Sequence, residues 1–237
     1  MYAVYLYAIQ LVKHGLPADL AGIDGAALRL VQCDELAAVV SEIQQAPDVR
    51  ELPAILAHEL AVETLMASRC VLPVRFGTVL SDERAVRSLL AHHELAFRTD
   101  LTRLDGCVEL GLRALWRSDG AAPAPAEPDV PSPLSAGRRY LEGRRQVLRQ
   151  EQHLLARATA ISEQLHAALD PLVRAAVVRR CRDAQTAVTA SYLVERGDIG
   201  SFRSALGDLS AVFSEVQLLC TGPWPPYSFV STRSDGQ

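Results

Sequence analysis

The chain has 237 residues, enough for one large domain or two small ones around a buried core. Hydrophobic residues make up 49% and charged residues 22%, the balance of a soluble globular protein, and a net charge of −4 argues against nucleic-acid binding, which draws on a basic surface. The five cysteines are odd in number and form no CxxC pair, so neither a zinc knuckle nor a disulfide framework is suggested and a reducing cytoplasm fits.

Tyr2 to Val12 is nearly continuous in apolar and tyrosine side chains, which predicts a central strand buried on both faces. The run is too short to span a bilayer and lacks the flanks of a signal peptide, so no membrane contact is expected. ALRLVQCDELAAVVSEI predicts a hairpin turning near Cys33-Asp34-Glu35. Pro53 then suits the first turn of a helix whose apolar face starts with Leu52, Leu56 and Leu60. VLPVRFGTVLSDE, Val71 to Glu83, reads as a short strand, a turn and a helix start. Pro73 lacks a ladder donor and belongs on an edge strand. Gly77 allows a turn with positive φ. Arg75 is expected to lay its stem on apolar surface and send its guanidinium to a carboxylate or backbone carbonyl. Ser81 is the expected cap of the next helix, with Val86, Leu89, Leu90, His93 and Phe97 on its apolar face.

GCVELGLRALW alternates Val108, Leu110, Leu112, Ala114 and Trp116 with more polar neighbours, the pattern of a strand with one buried face. Asp119 to Pro133 is a Pro/Ala-rich loop. A long helical segment is read from Leu134 to about Arg182, with a kink or restart at Asp170-Pro171. Leu134, Leu141, Leu148, Leu155 and Leu169 keep a seven-residue spacing broken at Ser162, either a coiled-coil stripe or a face packed on the protein's own sheet. The arginines between Arg138 and Arg149 read as a solvated helix face. AQTAVTASYLV predicts a strand, Asp198 caps a helix bearing Ile199, Phe202, Leu206, Leu209 and Phe213, and VQLLCTG predicts a last strand. Strands mixed with helices in both halves give a mixed α+β fold in two units, divided as 1–100 and 101–237.

Catalytic and metal motifs are missing. His58-Glu59 fails HExxH because Val62 occupies the second histidine position. His92 and His93 diverge by about 100° on a helix and chelate poorly together. No GxxxxGK[ST], GxGxxG or GxSxG occurs, so no cofactor, nucleotide or metal is expected. What stands out instead is TGPWPPYSF, Thr221 to Phe229. Its prolines are expected to hold Trp224, Tyr227 and Phe229 extended and stiff, as a flap over a core edge, a docking surface, or both.

Taken together, YAVYLYAI, AHELAVETLMASRCVLPVRFGTVL, Tyr192-Leu193-Val194 and TGPWPPYSF occur in an order that resembles the GvpF/GvpL family of gas vesicle accessory proteins. The resemblance spans nearly the whole chain and does not separate GvpF from GvpL, with a lean to GvpF. It implies a first α/β domain and a second, modified ferredoxin-like domain with long helices. It implies a non-enzymatic role in assembling or nucleating gas vesicles in the cytoplasm, through the small apolar main shell protein GvpA and other accessory proteins. Arg75, Phe76, Trp224, Tyr227 and Phe229 are the candidate partner contacts, and for Arg75 a purely structural junction is the competing reading. A shell-binding surface would act by strand addition or helix-in-groove docking. The alternatives are a scaffold that binds only other accessory proteins and, more remotely, a small-molecule enzyme on an α/β scaffold.

Overall fold

A computed structural model describes residues 3–48, 50–117, 136–181 and 185–231, without the side chains of 136–140. The Pro/Ala-rich stretch at 119–133 therefore lies outside the described residues. The chain divides into two compact units, Met1–Glu109 with Pro223–Gln237, and Leu110–Gly222. The closing aromatic segment, placed with the second half from sequence, thus belongs to the first unit, as do residues 101–109.

In the first unit, β1 (Ala3–Leu11), β2 (Arg29–Cys33), β3 (Leu36–Ile43), β4 (Leu72–Pro73) and β5 (Val79–Leu80) form one sheet. The order is β2-β3-β1-β4, and β5 also pairs with β1. β1 is buried almost throughout, as its apolar run predicts. Pro73 lies on the edge strand, where its missing donor costs nothing. The β2–β3 turn is Asp34-Glu35, with Asp34 at φ 50°. That conformation is one that aspartate tolerates better than most residues. A register shift between Leu6 and Ala8 interrupts the pairing of β1 with β3. The bulge resets the alternation of side chains, so Tyr5, Tyr7 and Ala8 all join one core.

That core is closed by α1 (Leu52–Met66), with Pro53 in its first turn. Its inward face is Ala54, His58, Ala61, Val62 and Leu65. Leu52, Leu56 and Leu60 are not that face; they are exposed. The helix is apolar on nearly every side, and its alanines allow a closer approach to the sheet than leucines would. α2 (Glu83–His92) packs against β2 and β3, and α3 (Glu94–Arg103) against β4. Asp82, not Ser81, caps α2, its Oδ1 accepting from Ala85 N at 2.8 Å. The predicted continuous helix stops at His93, a half-buried hinge residue at φ −110°, before α3 begins.

In the second unit the succession is β6 (Cys107–Trp116, entering from the first unit), α4 (Ala136–Leu169), β7 (Ala175–Arg180), β8 (Thr186–Glu195), α5 (Ile199–Val212) and β9 (Val216–Trp224). With sheet order β7-β8-β6-β9, this is the βαββαβ arrangement of a ferredoxin-like unit. The second half of α4 (Ala158, Ile161, Leu165, Leu169) and α5 (Phe202, Leu206) cover Leu110, Leu112, Val188, Ala190, Tyr192 and Val194. The inward set of β6 is the one the alternation predicts, and Val188, Ala190, Tyr192 and Val194 of β8 face the same core. The helix predicted to reach Arg182 ends at Leu169. Asp170-Pro171-Leu172 forms a 3-10 turn, and β7 follows where helix was expected. Pro171 stops the helix, and Val177-Val178 suit a strand paired to β8.

Candidate functional site

The stretches singled out in sequence come together in the first unit. His58 is fully buried, with 0% of its surface exposed, so both ring nitrogens need partners. Nε2 lies 3.0 Å from the carbonyl of Val74, which can only accept, so Nε2 carries the proton. Nδ1 therefore accepts from the Tyr5 hydroxyl at 3.0 Å. The Tyr5 oxygen in turn accepts from Gly77 N at 2.9 Å. Gly77 adopts φ 84°, the left-handed conformation predicted for this turn, and Thr78 closes it with two bonds to the carbonyl of Arg75. Phe76 packs edge-on to His58, with ring centroids 5.7 Å apart, while Tyr7 stacks on His58 at 5.5 Å. Burial holds the His58 imidazole at a pKa of about 4 and drives the Tyr5 hydroxyl far above its ordinary value.

The closing segment is laid onto this cluster by three carboxylates. The Tyr227 hydroxyl donates to Glu59 Oε1 at 3.0 Å and lies 3.3 Å from His58 Nε2. Ser228 gives both its N–H and its hydroxyl to Glu109, at 2.8 and 2.7 Å. Ser231 does the same to the buried Asp100, at 2.6 and 2.8 Å. Arg103 bonds Asp100 and also the carbonyl of Phe229. Burial raises the Tyr227 hydroxyl pKa strongly, with the Glu59 charge adding to it, and burial raises that of Glu59 as well. The phenol keeps its proton at neutral pH and serves Glu59 as a donor.

The predicted contact residues thus fall into different environments. Phe229 is buried, and Tyr227 and Phe76 are half-buried. Tyr227 to Phe229 form a 3-10 turn where an extended arrangement was expected. Pro225 and Pro226 are themselves buried, so the prolines dock the segment and do not merely stiffen it. Trp224, at the end of β9, keeps 45% of its surface exposed. Arg75 is exposed and makes no side-chain hydrogen bond or ion pair with the described residues, contrary to the expected carboxylate or carbonyl. It stands instead at a small apolar cleft of about 50 Å³ bordered by Leu6, Leu72, Val74, Phe97, Tyr227 and Val230. The chemistry that sequence reasoning missed lies in Glu59, Asp100 and Glu109, carboxylates far apart in the chain with no motif to join them. Glu109 alone left a trace, as an acid in a largely apolar strand.

Among the described residues, no three His, Cys, Asp or Glu side chains are grouped to hold a metal ion. Among the same residues, no helix is long and apolar enough to cross a membrane.

The family described as gas vesicle synthesis protein GvpL/GvpF matches residues 3–231. Gas vesicle protein L of a Streptomyces species is 32% identical over 252 residues, covering 98% of this chain and 94% of that protein. Gas vesicle protein F2 of Halobacterium salinarum is 26% identical over 231 residues, covering 96% and 91%. The crystal structure of GvpF from an Anabaena species superposes with a TM-score of 0.78 at 22% identity, covering 98% of this chain and 97% of the other. GvpF from Microcystis aeruginosa gives 0.75 at 18% identity, covering 97% and 99%. These two structures share the mixed α+β fold described above.

Proposed function

Because the chain belongs to the GvpL/GvpF family of gas vesicle synthesis proteins, we propose that it acts in gas vesicle assembly by binding the small apolar main shell protein, GvpA, and other accessory proteins. It does so in the cytoplasm, at the growing vesicle, and without catalysis. The observation that carries this reading is the division of labour at the site. Glu59, Asp100 and Glu109 are engaged in holding the closing segment, and His58 is engaged by Val74 and Tyr5. Arg75 and Trp224, by contrast, face solvent. A cation with no partner among the described residues, beside an apolar cleft, suits recognition of a segment that pairs apolar side chains with an acceptor or a carboxylate. An exposed tryptophan adds a large, stiff contact that loses little entropy on docking. A strongly apolar shell subunit must be kept from aggregating before it is added, and a negatively charged protein with such a surface can cover it.

Co-purification with the shell protein tests the reading. Arg75→Ala and Trp224→Ala are expected to keep the wild-type melting temperature and to lose shell protein, by about 2 kcal/mol for a tryptophan that is a hot spot. Phe229→Ala is expected to lower the melting temperature, since its side chain is buried in the wild type. Folded Arg75 and Trp224 variants that capture shell protein as well as wild type would remove this surface from the interface. A wild-type chain that ignores shell protein but captures other accessory proteins would establish the scaffold role in its place.

A further inference from the structure

We propose that copies of this chain associate head to tail, through two helix faces that are complementary to each other and exposed among the described residues. The first face is on α1. Leu52, Leu56 and Leu60 are 62%, 58% and 64% exposed, and their i, i+4, i+8 spacing sets them in one row. Glu63, also exposed, falls in the same row at about 100° per residue. From Glu51 to Met66 there are three glutamates and no lysine or arginine.

The second face is on the first half of α4. Residues 141–149 are all exposed, whereas from Ala158 onward the same helix enters the core. Leu141 and Leu148 share one side of it, with Arg144 and Arg145 between them. From Arg138 to Arg149 there are five arginines and one glutamate. This leucine row lies to one side of the helix's buried face, is exposed, and has positive flanking charge. The rows match in length: Leu52 to Leu60 spans about 12 Å and Leu141 to Leu148 about 10 Å at 1.5 Å per residue.

Charge selects the pairing. Two α4 faces would set arginines against arginines, and two α1 faces would set Glu63 against Glu63. Only α1 against α4 buries both leucine rows while matching Glu63 with Arg144 and Arg145. Each face is exposed on its own unit, and the partner assigned to each is the other face on a second copy. The two surfaces differ, so the contact is heterologous: each added copy leaves one face of each kind open, and association can continue. A contact of this size falls well short of the roughly 1,600 Å² of a standard interface. It is therefore weak in dilute solution and becomes effective where copies are concentrated. The inference does not depend on the cleft or on shell-protein binding.

Sedimentation velocity of the purified full chain, over a wide concentration range at low and high salt, tests it. Mass is expected to grow with concentration and to fall back as salt screens the charges. Leu56→Ser and Leu148→Ser should each suppress the growth. Glu63→Arg and Arg145→Glu should each weaken it at least about tenfold, a cost of about 1.4 kcal/mol. Mixing these two reversal variants restores an oppositely charged pair at every contact, so the mixture should associate like wild type, an outcome that misfolding cannot produce. A chain that stays monomeric throughout overturns the proposal, even if another protein proves to occupy either face. Association that ignores the reversals, or a mixture that fails to recover it, overturns it equally.

Discussion

Acidification should loosen the first unit by way of His58. In the folded chain burial holds this imidazole at a pKa of about 4, against an ordinary value of 6.5. The folded state thus binds fewer protons than the unfolded state between those limits, and stability is lost as pH falls from 6.5 towards 4. Over that interval of about 2.5 pH units, at 1.36 kcal/mol per unit, the loss is about 3 kcal/mol. Glu59 works in the opposite sense. Its raised pKa makes the folded state take up a proton early, which offsets part of the loss. The tyrosines around His58 stay protonated throughout, since burial moves Tyr5, Tyr7 and Tyr227 upward. The measurement is urea unfolding at a series of pH values between 7 and 4, for wild type and His58→Gln. The glutamine can still donate to the Val74 carbonyl but does not titrate. The variant is less stable at pH 7, yet its curve should fall less steeply below pH 6.5, and the two should converge. Parallel curves would refute the assignment of a buried, neutral His58.

Two further perturbations address the closing segment and the turn beneath it. Asp100→Ala removes the acceptor for Ser231 N–H and hydroxyl, and should cost about 2–4 kcal/mol, at the scale of hydrogen bonds to a charged group. Limited proteolysis should then cut the closing segment well before the rest of the chain. Gly77→Ala meets no steric obstacle, since nothing lies within 4 Å of a Cβ there, but its φ of 84° is left-handed. Strain alone should cost about 1–2 kcal/mol in a thermal or denaturant melt, and Gly77→Asn should cost less.

Much of the fold was legible because its signals are local. The two-sided burial of β1, the alternation of β6 and β8, the edge position of Pro73 and the glycine turn at Gly77 each follow from a few neighbouring residues. What was not legible depends on choices that local pattern leaves degenerate. In α1, leucines, alanines and a histidine compete for the inward face. The winner is the set containing His58, because Tyr5 and the Val74 carbonyl satisfy a polar ring there. β7 was hidden because Arg179 and Arg180 continue the charged texture of the preceding helix, while its stabilisation comes from pairing with β8. Arg75 looked like a buried anchor because its neighbours are apolar, but the turn aims it at solvent. The joining of Glu59, Asp100 and Glu109 to residues 227–231 is tertiary in origin, across separations of more than a hundred residues.

The division of the chain, with Leu110–Gly222 interrupting a unit that resumes at Pro223, orders events during synthesis. The inserted unit is one continuous stretch, so its last strand, β9, emerges before the closing segment does. The first unit is not continuous. Until Tyr227, Ser228 and Ser231 emerge, the carboxylates of Glu59, Asp100 and Glu109 have no hydroxyl or amide from that segment to accept from. Residues made first are thus finished last, and a polypeptide released early would carry a folded insert beside an unsealed host. For a protein proposed to handle aggregation-prone subunits, this wiring makes completion of the cleft a late step, coupled to arrival of the closing segment.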